Sequence, residues 1–156
     1  MSIHFELITP ERVVFKTDVH QVTLPTAMGE ITVLQNHAPL VAALVPGVAQ
    51  LKSDQGDEEV AVSGGFIEIL ANNVVRVLAD TAERGHELDL QTIEQAKVRA
   101  EAVMKEAVHT DDASFAAAAA ALERELARYR VARRAHVGKN LPTLDAANLP
   151  SDENPV

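Results

Sequence analysis

A β-sandwich followed by an antiparallel helical hairpin is the architecture this sequence predicts, as two domains. Three observations predict it. Before Gly85, apolar residues alternate with polar ones over short runs. After Gly85 they recur every three or four residues, which is the helix period rather than the strand period. Turn-forming pairs also punctuate the first half at short intervals, as they do in all-β folds.

The strands follow in order. Residues 5–7 and 13–15 read as short strands on either side of Thr9-Pro10-Glu11, where Pro10 cannot donate to a ladder and suits a bend. Residues 20–24 form the next, closed by Pro25, and residues 31–34 follow Met28-Gly29. Pro46-Gly47 leads into residues 48–52 with a preset proline φ and a glycine free to take positive φ. Asp54-Gln55-Gly56-Asp57 turns the chain onto residues 59–62. Asn72-Asn73 separates residues 66–70 from 74–78, and asparagine tolerates the left-handed backbone of such a turn. Glu59, Glu68 and Arg76 interrupt apolar residues, as expected where one sheet face is wet. The strands are expected to be short and antiparallel, in a domain spanning residues 1–85.

The hairpin is expected over residues 86–137. Asp89 is placed to cap a first helix reaching about Val108, with the seam Ile93, Ala96, Ala100, Val103 and Ala107. His109-Thr110-Asp111-Asp112 turns the chain. Asp111 or Asp112 can accept from the free N–H groups of the next helix. That helix is expected to reach about His136, stopped by Gly138 and Pro142, with the seam Phe115, Ala119, Leu122, Leu126 and Tyr129. Its alanines favour helix but bury little, so the pair should hold its shape better than its docking. Residues 138–156, acidic and containing Pro142, Pro150 and Pro155, are expected to be a disordered tail.

Composition excludes several functions. The 156-residue chain is 47% hydrophobic, enough for a core, and its aromatics are only 3%, so Val, Leu, Ile and Ala must build it. A formal charge of -9 argues against a nucleic-acid surface. Without Cys there is no disulfide or thiolate chemistry. The N-terminus has no signal-like stretch, and no run approaches the roughly 20 apolar residues of a spanning helix. Membrane association is therefore expected only through partners. No phosphate-binding Gly-rich loop with Lys-Ser/Thr is present. Ser63-Gly64-Gly65 lacks the Gly-x-Ser-x-Gly elbow, and its glycines are expected to relieve a tight strand entry. The six histidines lack metal-ligand spacing. No catalytic residue and no metal site is expected. The second helix instead concentrates Arg124, Arg128, Arg130, Arg133 and Arg134. Some complement the helix C-terminus, and the excess makes a cationic tip that fits an acidic protein surface.

Several segments together resemble the epsilon subunit of bacterial F-type ATP synthases. They are Gly29-Glu30-Ile31-Thr32-Val33-Leu34-Gln35-Asn36-His37-Ala38-Pro39-Leu40 with Val45-Pro46-Gly47, then Val62-Ser63-Gly64-Gly65-Phe66-Ile67-Glu68-Ile69, then Val77-Leu78-Ala79-Asp80-Thr81-Ala82-Glu83-Arg84. The likeness runs from about Phe5 to about Arg134. Thr32 and Gln35 stand where the family usually shows Gly and Pro.

The resemblance implies a non-catalytic rotor subunit at the cytoplasmic face of the bacterial cell membrane. Its sandwich would bind the gamma subunit and rest on the c-subunit ring, with Glu30 and His37 in the ring-facing segment. Its arm would inhibit ATP hydrolysis by setting Arg124, Arg128, Arg130, Arg133 and Arg134 against acidic segments of the alpha and beta catalytic subunits. Some members bind ATP as a regulatory ligand through Ile/Leu-Asp followed by Arg-Ala. Here Leu88-Asp89 matches, Thr92-Ile93 replaces Arg-Ala, and Arg124 and Arg128 match two phosphate-side arginines. The alternative class is thus an ATP-sensing binding module using Asp89, Arg124 and Arg128. No cofactor is required.

Overall fold

The computed structural model describes residues 2–139. Ten strands precede two helices: β1 Ile3–Ile8, β2 Val13–Val19, β3 Gln21–Thr26, β4 Gly29–Val33, β5 Leu40–Leu44, β6 Gly47–Ser53, β7 Gly56–Val62, β8 Gly65–Leu70, β9 Val74–Ala79 and β10 Ala82–Arg84. A 3-10 turn at Gly85–Glu87 leads into α1, Leu90–Ala107, and α2, Asp112–Lys139.

The sheet runs β10-β7-β6-β3-β5-β8-β9-β1-β2, with β4 on β3. It folds over at β3, which touches β5 only at Thr26 and Leu44. One layer is therefore β10-β7-β6-β3-β4 and the other β5-β8-β9-β1-β2. Alternation drives their closure. Ile3, Phe5 and Leu7 of β1, Val22 and Leu24 of β3, Val60 and Val62 of β7, Ile67 and Ile69 of β8, and Val75 and Val77 of β9 point inward into one cluster. Full burial of such side chains contributes about 1.5–3 kcal/mol each. Every member of that cluster lies between residues 3 and 82, so the sandwich has a core of its own.

One ladder departs from the expected antiparallel pattern. β1 pairs β9 in parallel, joining the start of the domain to its end. Two strands went unread in the sequence, β5 and β10. β3 also continues through Pro25, which pairs with Glu30 and lends its carbonyl to the Val45 N–H at 3.2 Å. A bulge between Leu7 and Ile8 places Ile8 opposite Val13.

Turn chemistry is as expected at the asparagine pair and at the Gly56 turn, but Gly47 does not take positive φ: it opens β6, and a Cβ there would lie 2.8 Å from the Pro25 Cβ, so close packing requires the glycine. Asn72 and Asn73 take φ of 64° and 60°, and Gly29 and Gly56 take 108° and 116°. At Gly65, with φ 150°, an added Cβ would sit 1.9 Å from the Leu78 carbonyl oxygen, so the strand entry admits no side chain.

The hairpin seams differ in detail. α1 buries Ile93 and Ala107, but Val103 is 54% exposed and Met104 turns inward in its place. In α2, Phe115 is exposed, while Ala118, Ala127, Val131 and Ala132 are buried. A single heptad seam fails there because α2 has two neighbours, α1 on one side and β6–β7 on the other. α2 also passes through Gly138 to Lys139. A helical glycine costs only about 1 kcal/mol against Ala, less than a stop. The first two residues of the expected tail are thus helical, and the rest of it lies outside the described residues.

Both helix starts are carboxylate-capped. Asp89 accepts from the Thr92 N–H at 3.0 Å, and Asp111 from the Ser114 N–H at 2.9 Å. The Thr92 and Ser114 hydrogen bonds hold both carboxyls below their ordinary value of 3.8. Their contribution is present above that value and is lost as pH falls through the lower folded ones. Far-UV circular dichroism should show arm helix melting on acidification below 3.8. The D89N/D111N variant, which keeps competent caps, should blunt the loss. An identical acid profile in that variant would contradict this assignment.

Candidate functional site

The sandwich has two outer faces, and they are used differently. On the β6–β7 layer, Val48, Gln50, Glu59 and Ala61 point outward while Ala49, Leu51, Val60 and Val62 point in. The arm covers this face. Ala61 joins Leu88, Ile93, Ala127, Val131 and Ala132 in a second, smaller cluster flanked by Val48, Leu90 and Tyr129. Half of its six buried members are alanines, so it buries little for its size. Docking needs close approach, because a Cβ on Gly85 would lie 2.7 Å from the Ala135 Cβ. A cleft of about 600 Å³ remains between β6–β7 and the far end of α2.

Charges hold the rim of that contact. The Arg128 Nε donates to Glu83 Oε2 at 2.8 Å, and its Nη1 donates to Glu125 Oε2 at 3.0 Å. Burial works against the charge on Arg128, but the bond to Glu83 and the charges of Glu83 and Glu125 prevail and raise its pKa. Arg134 pairs with Glu59 across the cleft. The other oxygen of Glu59 is buried without a hydrogen-bond partner. Arg124 lies 3.5 Å from Glu125 and is otherwise open to solvent. Arg130 and Arg133 are exposed.

The opposite face, on β5-β8-β9-β1-β2, is uncovered among the described residues. Register puts Ala43, Phe66, Leu78, Ile8 and Val13 side by side in one row crossing five strands. Phe66 is 63% exposed, Leu78 48% and Val13 57%. The neighbouring row is charged: Glu6 is bound by Lys16 at 3.1 Å and Arg76 at 3.2 Å, and Arg76 reaches Glu68 at 3.4 Å. Those cations hold the Glu6 carboxyl below its usual range, the Lys16 hydrogen bond first. An apolar band rimmed by charge is a surface of the kind that protein contacts use.

Glu30 lies on β4 and is exposed, beside the wholly exposed Met28 of the β3–β4 turn. His37 is half-buried in the following loop. Its Nδ1 lies 2.7 Å from the Ala38 carbonyl, so that nitrogen carries the proton, and its N–H donates to Leu34. The Asn36 N–H donates to Asn73 Oδ1 at 2.5 Å, tying this loop to the β8–β9 turn. Thr32, one of the two departures in the signature loop, fits its strand by bonding the Thr23 hydroxyl at 3.0 Å.

The beta-sandwich domain of the ATP synthase delta/epsilon chains matches residues 2–85. An ATP synthase epsilon chain of Syntrophomonas wolfei is 40% identical over 130 residues, covering 83% of this chain and 93% of that one. That of Moorella thermoacetica is 42% identical over 132 residues, covering 84% and 96%. The chain belongs to the ATP synthase epsilon family. Among solved structures, a chain of the Euglena gracilis mitochondrial ATP synthase OSCP/F1/c-ring assembly superposes with a TM-score of 0.68 at 24% identity. That match spans 87% of this chain and 81% of the other, and it speaks for the fold.

Membership makes the chain a non-catalytic subunit of the ATP synthase complex. The described residues contain no group of His, Asp and Glu able to hold a metal ion. No helix among them is long and apolar enough to cross a membrane. Within this epsilon chain, Asp89 shares a cleft of about 290 Å³ with His136 and Ala135 at the end of α2. Arg128 and Arg124 lie eight and twelve residues back along α2 from His136, about 12 and 18 Å at 1.5 Å per residue. The three are thus spread along the arm, with Asp89 engaged as a cap and Arg128 in ion pairs.

Proposed function

We propose that this epsilon chain is a rotor subunit of the central stalk, coupling proton-driven rotation to ATP synthesis, and that its arm restrains ATP hydrolysis. The observation that carries the reading is the division of the sandwich between its two faces. One face is occupied by the chain's own arm. The other presents an apolar row that no other element covers among the described residues.

That row is the gamma-binding surface. The exposed β3–β4 hairpin with Glu30, and the loop carrying His37, face the ring of c subunits. The complex holds the chain peripherally at the cytoplasmic face of the bacterial membrane, through these partners alone. When the arm leaves the sandwich, Arg128 loses Glu83 and Arg134 loses Glu59; with Arg124, Arg130 and Arg133 they then meet acidic segments of the alpha and beta subunits.

Deleting the residues after Leu88 should raise ATP hydrolysis by the assembled enzyme, because the arm's cluster is separate from the sandwich core and its loss leaves assembly intact. Hydrolysis unchanged in an intact, arm-less complex would refute the inhibitory role.

A further inference from the structure

We infer that the docked arm is held by a two-point latch on the sandwich, Glu83 on Arg128 and Glu59 on Arg134, closed over Gly85, and that these glutamates compete with the acidic partner for the same arginines. This rests on the inhibitory reading of the arm and adds what holds the arm back. The apolar contact between arm and sandwich is thin: of the second cluster, only Ala61 and the flanking Val48 come from sheet strands. The charged contacts span more of the helix. Arg128 and Arg134 lie six residues apart on α2, and their acceptors stand on β10 and β7.

The latch is tight at one point and loose at the other. Arg128 is clamped between Glu83 and Glu125, and only 29% of its side chain is exposed. Arg134 is 71% exposed and meets one oxygen of Glu59, whose second oxygen is buried without a partner. Lost solvation at that oxygen offsets part of the attraction. The 600 Å³ cleft beside it lets water and ions in. Arg124, Arg130 and Arg133 stay exposed in the docked arm and can meet an acidic surface first. Arg134 then transfers, and Arg128 follows. Gly85 adds a steric condition, since any side chain there would strike Ala135 only in the docked state.

The chain has no cysteine, so paired spin labels at Q55C and R133C can report arm docking in the full-length protein. The parent should give a single short distance at low salt. E59Q/E83Q should raise the ratio of open to docked arm roughly tenfold. Raising ionic strength to about 1 M, where the Debye length is about 3 Å, should open the parent and change that variant little. G85V should open the arm at every salt concentration. Unchanged distances in both variants, with the far-UV spectrum of the parent retained, would overturn the latch. Because the readout is made on the isolated chain, it fails independently of the hydrolysis assay with the arm deleted.

Discussion

Gly65→Ala should unfold the sandwich more readily than any other single-methyl change in it. The backbone there has φ 150°, and the new Cβ would stand 1.9 Å from the Leu78 carbonyl oxygen and 3.0 Å from the Ala79 Cα. Both obstacles are main chain in the β8–β9 ladder, so neither can rotate away. Strained backbone alone costs about 1–3 kcal/mol, and the clash adds to it. A loss of about 3 kcal/mol or more is expected, which lowers Tm by roughly 12–24 °C for a domain this size. Gly64 is the control. A Cβ there meets only the Asp80 carboxylate at 3.4 Å and the Leu44 carbonyl at 3.8 Å. Gly64→Ala should therefore shift Tm far less, and equal shifts in calorimetry would contradict this reading of the strand entry.

Phe66→Glu should abolish gamma binding without unfolding the chain. Phe66 stands inside the apolar row, between Ala43 and Leu78, and is its only aromatic. Its ring is 63% exposed, so the folded monomer loses little when it changes. In a complex the same position would be desolvated, and an aromatic anchor is worth about 2 kcal/mol or more when removed. A buried unpaired carboxylate worsens that, so affinity should fall about 100-fold or more. Titration calorimetry with gamma gives the affinity, and a melting curve gives the stability. Wild-type affinity in the variant would remove this face from the contact.

The sequence was readable where one rule governed a segment. Eight strands showed alternation between turn signals, and both helices showed a capping carboxylate, Asp89 for the first and Asp111 or Asp112 for the second, of which the fold uses Asp111. It was opaque where two demands overlapped. β5, Leu40-Val41-Ala42-Ala43-Leu44, does not alternate because Leu44 and Ala42 face the core while Val41 and Ala43 face out on the uncovered side. The broken pattern that hid the strand belongs to the face proposed to dock gamma. β10 is three residues long and carries Glu83 and Arg84, so nothing apolar announced it. α2 packs against both α1 and β6–β7, which spread its apolar residues around the helix and blurred any single seam. The arginines were visible as a cluster, but their glutamate partners at 59 and 83 come from strands far away in the chain.

The most direct test is retention of the gamma subunit by the full-length chain and by residues 1–88 alone. Sandwich-borne binding predicts that the two retain gamma equally, since the apolar row and its supporting core lie wholly within the shorter piece. Retention only when the helices are present, from a truncated sandwich that still melts cooperatively, would contradict it.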